Sequence, residues 1–244
     1  MPAIPSKRFI VYAHRGASQY CPENTLMSFY MGVRLGANGI ETDVRRTLDG
    51  TLVLFHDETL ERVTGAPGAL ADYTYEELQQ LPVRKNGLFD RIPTLEDFLH
   101  HFAWRDLTLA IELKADGIEE ETAALIRRYG AEEKTVITAF EMDRLETMKR
   151  IAPTLPVGYL TKDTGDEILR RLLSFGGEEI CPFGQDVTLE KVAAWHKMGL
   201  NVRPWGIKNE EIMQKVYDAG ANGMTVNFPD LLIQYIEESG KSIH

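Results

Sequence analysis

The chain has 244 residues, 43% hydrophobic and 26% charged, the make-up of an ordinary soluble globular protein with enough apolar material for a sizeable core. Length alone leaves two small domains or one large α/β domain open. A formal charge of −10 argues against nucleic acid or an anionic membrane as a general partner, because long-range repulsion opposes both, but allows a small anionic substrate where Arg, Lys and a metal override the global field.

The first strand, Phe9–Ala13, runs into His14, Arg15 and Gly16, and a helical pattern follows over Asn24–Leu35. A second strand covers Gly39–Val44. The interval from Val44 to Leu52 is too short for a helical crossover, and Thr47–Thr51, with Asp49-Gly50 at its centre, reads as a hairpin turn. Leu52–Phe55 is therefore expected to fold back, returning His56 and Asp57 towards Glu41 and Asp43. Glu58–Pro93 carries Gly65, Pro67, Gly68, Pro82, Gly87 and Pro93 with one short helical pattern, Tyr75–Leu81, and no clear strand. A stretch that long without a strand reads as an insertion or lid.

From there the strands Leu107–Leu113, Thr135–Thr138, Val157–Leu160, Glu179–Cys181, Leu200–Arg203 and Gly223–Val226 alternate with helices. The helices are Thr94–Phe102, Ile118–Tyr129, Met142–Ile151, Asp166–Phe175, Thr188–Lys197, Asn209–Ala219 and Pro229–Glu237. Such alternation marks a parallel sheet with crossover helices. Repeated this often, it fits a somewhat irregular (β/α)8 (TIM) barrel better than an open sheet. No linker divides it, so residues 1–244 read as one domain with 58–93 as an inserted cap. No run approaches the ~20 apolar residues of a membrane span, and the N-terminus lacks a signal-peptide core. Cys21 and Cys181 lie far apart without a CxxC and read as reduced thiols. A cytoplasmic protein without stable membrane insertion is expected; its oligomeric state is not legible.

Residues fit for chemistry cluster at strand ends. Glu41 and Asp43 are two apart on a strand and so share a face, as do Glu112 and Lys114. Carboxylates at the end of a barrel strand are costly unless paired or metal-bound. Three of them suit a hard divalent cation, Mg2+ or Ca2+; the competing reading is surface salt-bridging at strand ends. His14 and His56 each close an apolar strand. A lone histidine there is more often structural, but two converging on carboxylates could act as base and acid near neutral pH. Arg15 offers a planar fork for phosphate oxygens and Lys114 a second positive charge. His100, His101, His196 and His244 read as structural or solvated, and Cys21 lacks an activating partner.

AHRGASQYCPENT, ETDVRRTLDGTLVLFHD, a Thr-Gly-containing insertion, IPTLEDFL and IELK, in that order, resemble the glycerophosphodiester phosphodiesterase family. The resemblance implies a phosphodiesterase barrel with a small cap, cleaving a glycerophosphodiester to an alcohol and glycerol 3-phosphate. By motif, His14 and His56 correspond to that family's acid–base pair, Glu41, Asp43 and Glu112 to its metal ligands, and Arg15 and Lys114 to its phosphate contacts. Glu23 and Asn24 are expected to order the loop and cap the next helix, and Trp205 resembles an aromatic near the glycerol end of the pocket. The C-terminal half departs from the pattern: Arg203-Pro204 precede Trp205, Asn227 stands where aspartate is common, and Ala139-Phe140 where Ser-Phe is frequent. Lysophospholipids are an alternative substrate class. A metal-dependent lyase or aldolase barrel and a phosphodiester-binding barrel without turnover are the competing functions, the former having no evident need for two histidines.

Overall fold

Residues 8–240 are described by the computed structural model, in which alternating strands and helices wind around a barrel. Strand β1 (Ile10–His14) leads through a polar loop to helix α1 (Leu26–Arg34) and strand β2 (Gly39–Arg46). Strand β3 (Leu52–Leu54) turns back antiparallel on β2, pairing Val44 with Leu54 and Arg46 with Leu52. The turn is the expected Asp-Gly one, with Gly50 at φ 89.

The inserted segment then contributes α2 (Glu61–Thr64), α3 (Tyr75–Leu78) and a hairpin of β4 (Val83–Lys85) with β5 (Leu88–Asp90). That hairpin corrects the expectation of a strandless insertion. Asn86 and Gly87 both have positive φ, 51 and 77, as a two-residue hairpin turn of type I′ requires. The flanking strands are too short to show alternation. The insertion has its own small core, in which Leu60, Leu70, Leu78, Val83 and Ile92 pack on Val53 and Phe55.

The remainder alternates: α4 (Leu95–Phe102), β6 (Thr108–Leu113), α5 (Glu119–Arg128), β7 (Thr135–Ala139), α6 (Met142–Ile151), β8 (Val157–Thr161), α7 (Asp166–Ser174), β9 (Glu179–Pro182), α8 (Leu189–Lys197), β10 (Asn201–Val202), α9 (Glu210–Asp218), β11 (Gly223–Val226) and α10 (Pro229–Glu238). Eight parallel strands run in the order β10-β9-β8-β7-β6-β2-β1-β11, with β3 attached to β2 outside that path. Nine strand candidates are thus reduced to eight barrel places. The two ends of the path meet through backbone bonds, Asn222 N to Val202 O at 2.9 Å and Thr225 N to Pro204 O at 3.2 Å. β10 is the shortest barrel strand, although Arg203 N and Trp205 N carry its bonds to β9 onward, to Ile180 O and Pro182 O, both at 3.0 Å.

Outward side chains pack on the helices. Phe29 of α1 meets Phe98 and Phe102 of α4 edge-on, with ring centroids 5.0 and 5.9 Å apart. Such buried rings contribute ~1.5–3 kcal/mol each. Inward residues include an apolar group of Tyr12, Ala110 and Val136 and the fully buried Arg203, whose Nε donates to Glu179 Oε1 at 2.8 Å. No helix among the described residues is long and apolar enough to cross a membrane. His244 lies outside the described residues.

Candidate active site

Because the strands are parallel, their C-terminal ends gather at one mouth, and the register decides who meets there. His14 lies beside Glu41, Asp43 beside Glu112, and Glu112 beside Thr138. Two-residue periodicity then points Glu41, Asp43 and Glu112 into the barrel. One oxygen from each lies within 4.8 Å of the others. All three residues are buried.

The loop after β1 is held tightly. Arg15 (φ 54) and Gly16 (φ 80) turn the chain, and a Cβ on Gly16 would sit 2.4 Å from the Ser28 carbonyl carbon, so only glycine fits. Arg15 N donates to the Glu41 carboxylate at 3.0 Å. Its guanidinium reaches Glu23 at 2.9 Å and Asp43 at 3.1 Å. Asn24, also at positive φ (55), donates to Asp43 Oδ2 at 2.9 Å and accepts from Thr42 Oγ1 at 2.8 Å. Helix α1 is capped by Thr25, whose hydroxyl accepts from Ser28 N at 3.2 Å. Asn24 therefore anchors a site carboxylate rather than capping the helix, a correction to its expected role.

The hairpin delivers His56 as expected. His56 Nδ1 lies 2.6 Å from Asp57 Oδ1, and the carboxylate can only accept, which leaves Nε2 without the proton. His14 Nδ1 lies 2.5 Å from Asn227 Oδ1. That oxygen also accepts from Ser18 Oγ at 3.0 Å, so His14 has the same tautomer. Both rings, with Arg15, Lys114 and Trp205, line one cavity of about 220 Å³, to which Phe140, Leu160 and Arg203 also contribute. Trp205 stands edge-on to Phe140, ring centroids 4.9 Å apart. His101 and His196 bond Tyr30 and Asn222 instead and are not among the cavity-lining residues. Cys21 and Cys181 are buried and free.

Charge is unevenly held. Burial, then Asp43 and Glu112, push the Glu41 carboxyl up to about 8; burial and Asp43 push Glu112 up to about 7, against the pull of Lys114. For Asp43, burial is outweighed by Arg15, Lys114 and His56, and it stays well below the usual carboxylate range. Burial and Arg15 lower His14, and burial lowers His56. Lys114 Nζ approaches Glu112 Oε1 at 2.6 Å and Asp43 Oδ1 at 3.6 Å, yet both oxygens are buried without a well-formed hydrogen bond. Three buried carboxylates crowded together, with no histidine or cysteine in the set, fit a hard divalent cation.

Asp57, Asn24 and Asn227 thus hold the site without having been expected in those roles. Asp57 follows His56 directly, which is a usable signal; Asn227 lies 213 positions from its partner.

The profile of the glycerophosphoryl diester phosphodiesterase family matches residues 14–231. A glycerophosphodiester phosphodiesterase of Caldanaerobacter subterraneus subsp. tengcongensis is 34% identical over 240 residues, covering 95% of this chain and 99% of that protein. One from Bacillus altitudinis is 32% identical over 241 residues, covering 93% and 98%. The solved structure of an Oleispira antarctica phosphodiesterase in complex with the product sn-glycerol-3-phosphate matches with a TM-score of 0.86 at 26% identity, covering 95% of this chain and 98% of that one. The barrel agrees with that of the solved relative, and the chain belongs to the glycerophosphoryl diester phosphodiesterase family, as an enzyme hydrolysing phosphoric diesters.

Proposed function

We propose that this chain hydrolyses glycerophosphodiesters to an alcohol and glycerol 3-phosphate, with Glu41, Asp43 and Glu112 holding a divalent cation and His14 and His56 exchanging protons. The observation that carries the reading is two histidines, each held through Nδ1, lining one cavity with Glu41 and Glu112 while buried Asp43 completes the carboxylate trio; His14 Nε2 itself stands 3.9 Å from Glu41 Oε2. The complex of the Oleispira antarctica relative with sn-glycerol-3-phosphate supports the substrate class.

Arg15 and Lys114 face the phosphate, where a planar fork and a point charge stabilise the charge that builds in the transition state. When bound, the cation shares that neutralisation. One histidine takes the proton of the nucleophile and the other returns one to the leaving alcohol. Their surroundings bias this division: the Asp57 carboxylate pulls His56 towards the imidazolium against the effect of burial, whereas burial and Arg15 keep His14 unprotonated and able to act as base. Trp205 and Phe140 offer apolar faces to the carbon skeleton of the substrate. The chain works as one domain with residues 58–93 as its lid, and the two free thiols suit a reducing cytoplasm.

The test is a panel of glycerophosphocholine, glycerophosphoethanolamine, glycerophosphoglycerol and a lysophospholipid, each with Mg2+ or Ca2+, read by release of glycerol 3-phosphate or lysophosphatidate. Release of glycerol 3-phosphate from the deacylated diesters is expected. No release from any of them sinks the reading, and undiminished turnover after exhaustive chelation removes the three carboxylates from their role as cation ligands.

A further inference from the structure

Glu23 belongs to the loop after β1, Asp57 to the end of the β2–β3 hairpin, and Arg62 to α2 in the insertion, yet the three close on one another. Arg62 Nη1 and Nη2 donate to Glu23 Oε2 and Oε1 at 2.8 and 2.7 Å, and Arg62 Nε donates to Asp57 Oδ2 at 2.5 Å. On the far sides, Glu23 Oε1 accepts from Arg15 Nη1 at 2.9 Å and Asp57 Oδ1 accepts from His56 Nδ1 at 2.6 Å. An unbroken chain of charge-assisted bonds therefore runs Arg15–Glu23–Arg62–Asp57–His56.

The two carboxylates are largely sheltered, their side chains 16% and 22% exposed. Burial works against their charge, but Arg62 and Arg15 hold Glu23 down to about 2, and Arg62 and His56 hold Asp57 down to about 2. Arg62 itself does not line the cavity. A single exposed ion pair contributes little; a guanidinium that uses both edges, on two carboxylates from different loops, fixes direction as well as distance.

We propose that Arg62 is a positioning residue, a strut from the inserted cap that aims His56 through Asp57 and Arg15 through Glu23. The inference rests on the roles proposed above for His56 and Arg15. It assigns the cap a task in the reaction beyond covering the cavity. An ammonium cannot replace the fork, since one point charge cannot meet both carboxylates in these directions.

Steady-state kinetics on Arg62→Ala, Arg62→Lys, Glu23→Gln, Asp57→Asn and the double variants test it. Asp57→Asn is expected to act mainly on kcat and Glu23→Gln mainly on KM. Arg62→Ala should do both, by ~10-fold or more in each, the scale of a misaimed catalytic group. Adding Glu23→Gln or Asp57→Asn to Arg62→Ala should then cost clearly less than the same change costs in the parent, because only the direct contacts to Arg15 and His56 remain to be lost. Arg62→Lys, folded and with an unchanged Tm, should still be impaired, which separates aiming from loss of fold. Arg62→Ala within about twofold of the parent in kcat and KM, or full multiplication of the single effects on the Arg62→Ala background, overturns the proposal. Proton NMR of the free enzyme gives a readout independent of turnover: the downfield His56 Nδ1–H resonance should broaden or vanish in Arg62→Ala. If the parent cleaves none of the diesters, the proposed function fails, and an unaltered resonance would separately overturn the strut.

Discussion

His14 and His56 become a pair through what stands behind them. Each has Nδ1 committed, to Asn227 and to Asp57, and both rings line the cavity, with His14 Nε2 3.9 Å from Glu41 Oε2. If they exchange protons as proposed, replacing either by alanine should lower kcat by ~10²–10⁴-fold with little change in Tm. Asn227→Asp would place a carboxylate on His14 Nδ1–H, stabilise the imidazolium and raise the His14 pKa. A base must be unprotonated to work, so the acid limb of the kcat/KM profile should move to higher pH. A profile unchanged in Asn227→Asp would show that His14 is not the base. The side chains that line the cavity were legible in the chain because strand periodicity and strand ends announce them. Their holders were not: Asn227 sits 213 positions from His14, and no local pattern links the two.

The β1–α1 loop and the β2–β3 hairpin show how much a turn can decide. Asp49-Gly50 between two apolar runs was sufficient to fold β3 back and bring His56 to Glu41 and Asp43, because that dipeptide adopts the hairpin turn with little strain. The loop after β1 is less transparent. Its glycine is required both by φ and by the Ser28 backbone against it, and the second of these is a contact with a helix that does not exist until the loop has closed. Gly16→Ala should therefore destabilise the protein by about 1–3 kcal/mol in urea unfolding. Its activity should fall further than the residual folded fraction accounts for, because Arg15 is displaced with the loop. Asn24 makes the same point: it reads as a helix cap, yet it spends its amide on Asp43 and Thr42, and Thr25 caps instead. The β4–β5 hairpin is not legible in the sequence because three-residue strands carry no period.

Across the whole molecule, the mouth of the barrel gathers charge that the fold alone does not neutralise. Glu41 and Glu112 titrate higher in the folded protein than in the unfolded chain. The stability they contribute without a cation is present below ~4.3, the ordinary glutamate value, and is lost as pH rises through about 7 for Glu112 and about 8 for Glu41. Asp43 has the opposite sign, so its contribution is lost only in strong acid. In EDTA, Tm should fall between pH 5 and pH 8.5. The increment produced by Mg2+ or Ca2+ should grow over the same range, since the cation displaces protons from these two groups. Glu112→Gln should flatten both curves, as read by scanning fluorimetry. An increment independent of pH would remove Glu41 and Glu112 as the ligands.

Fold class, strand order along the chain and the choice of candidate site residues follow from local physics: the two-residue and 3.6-residue periods, turn chemistry and the cost of a carboxylate at a strand end are all properties of neighbours in sequence. Which of nine strand candidates occupy eight places, which oxygen is left without a partner, and which distant side chains brace the site depend on register around a closed ring. Register sets Asp43 beside Glu112, joins β10 to β11, and brings Arg62 between Glu23 and Asp57. Such pairings are made across space by whichever groups the closed barrel leaves within hydrogen-bond reach, and no spacing along the chain encodes them.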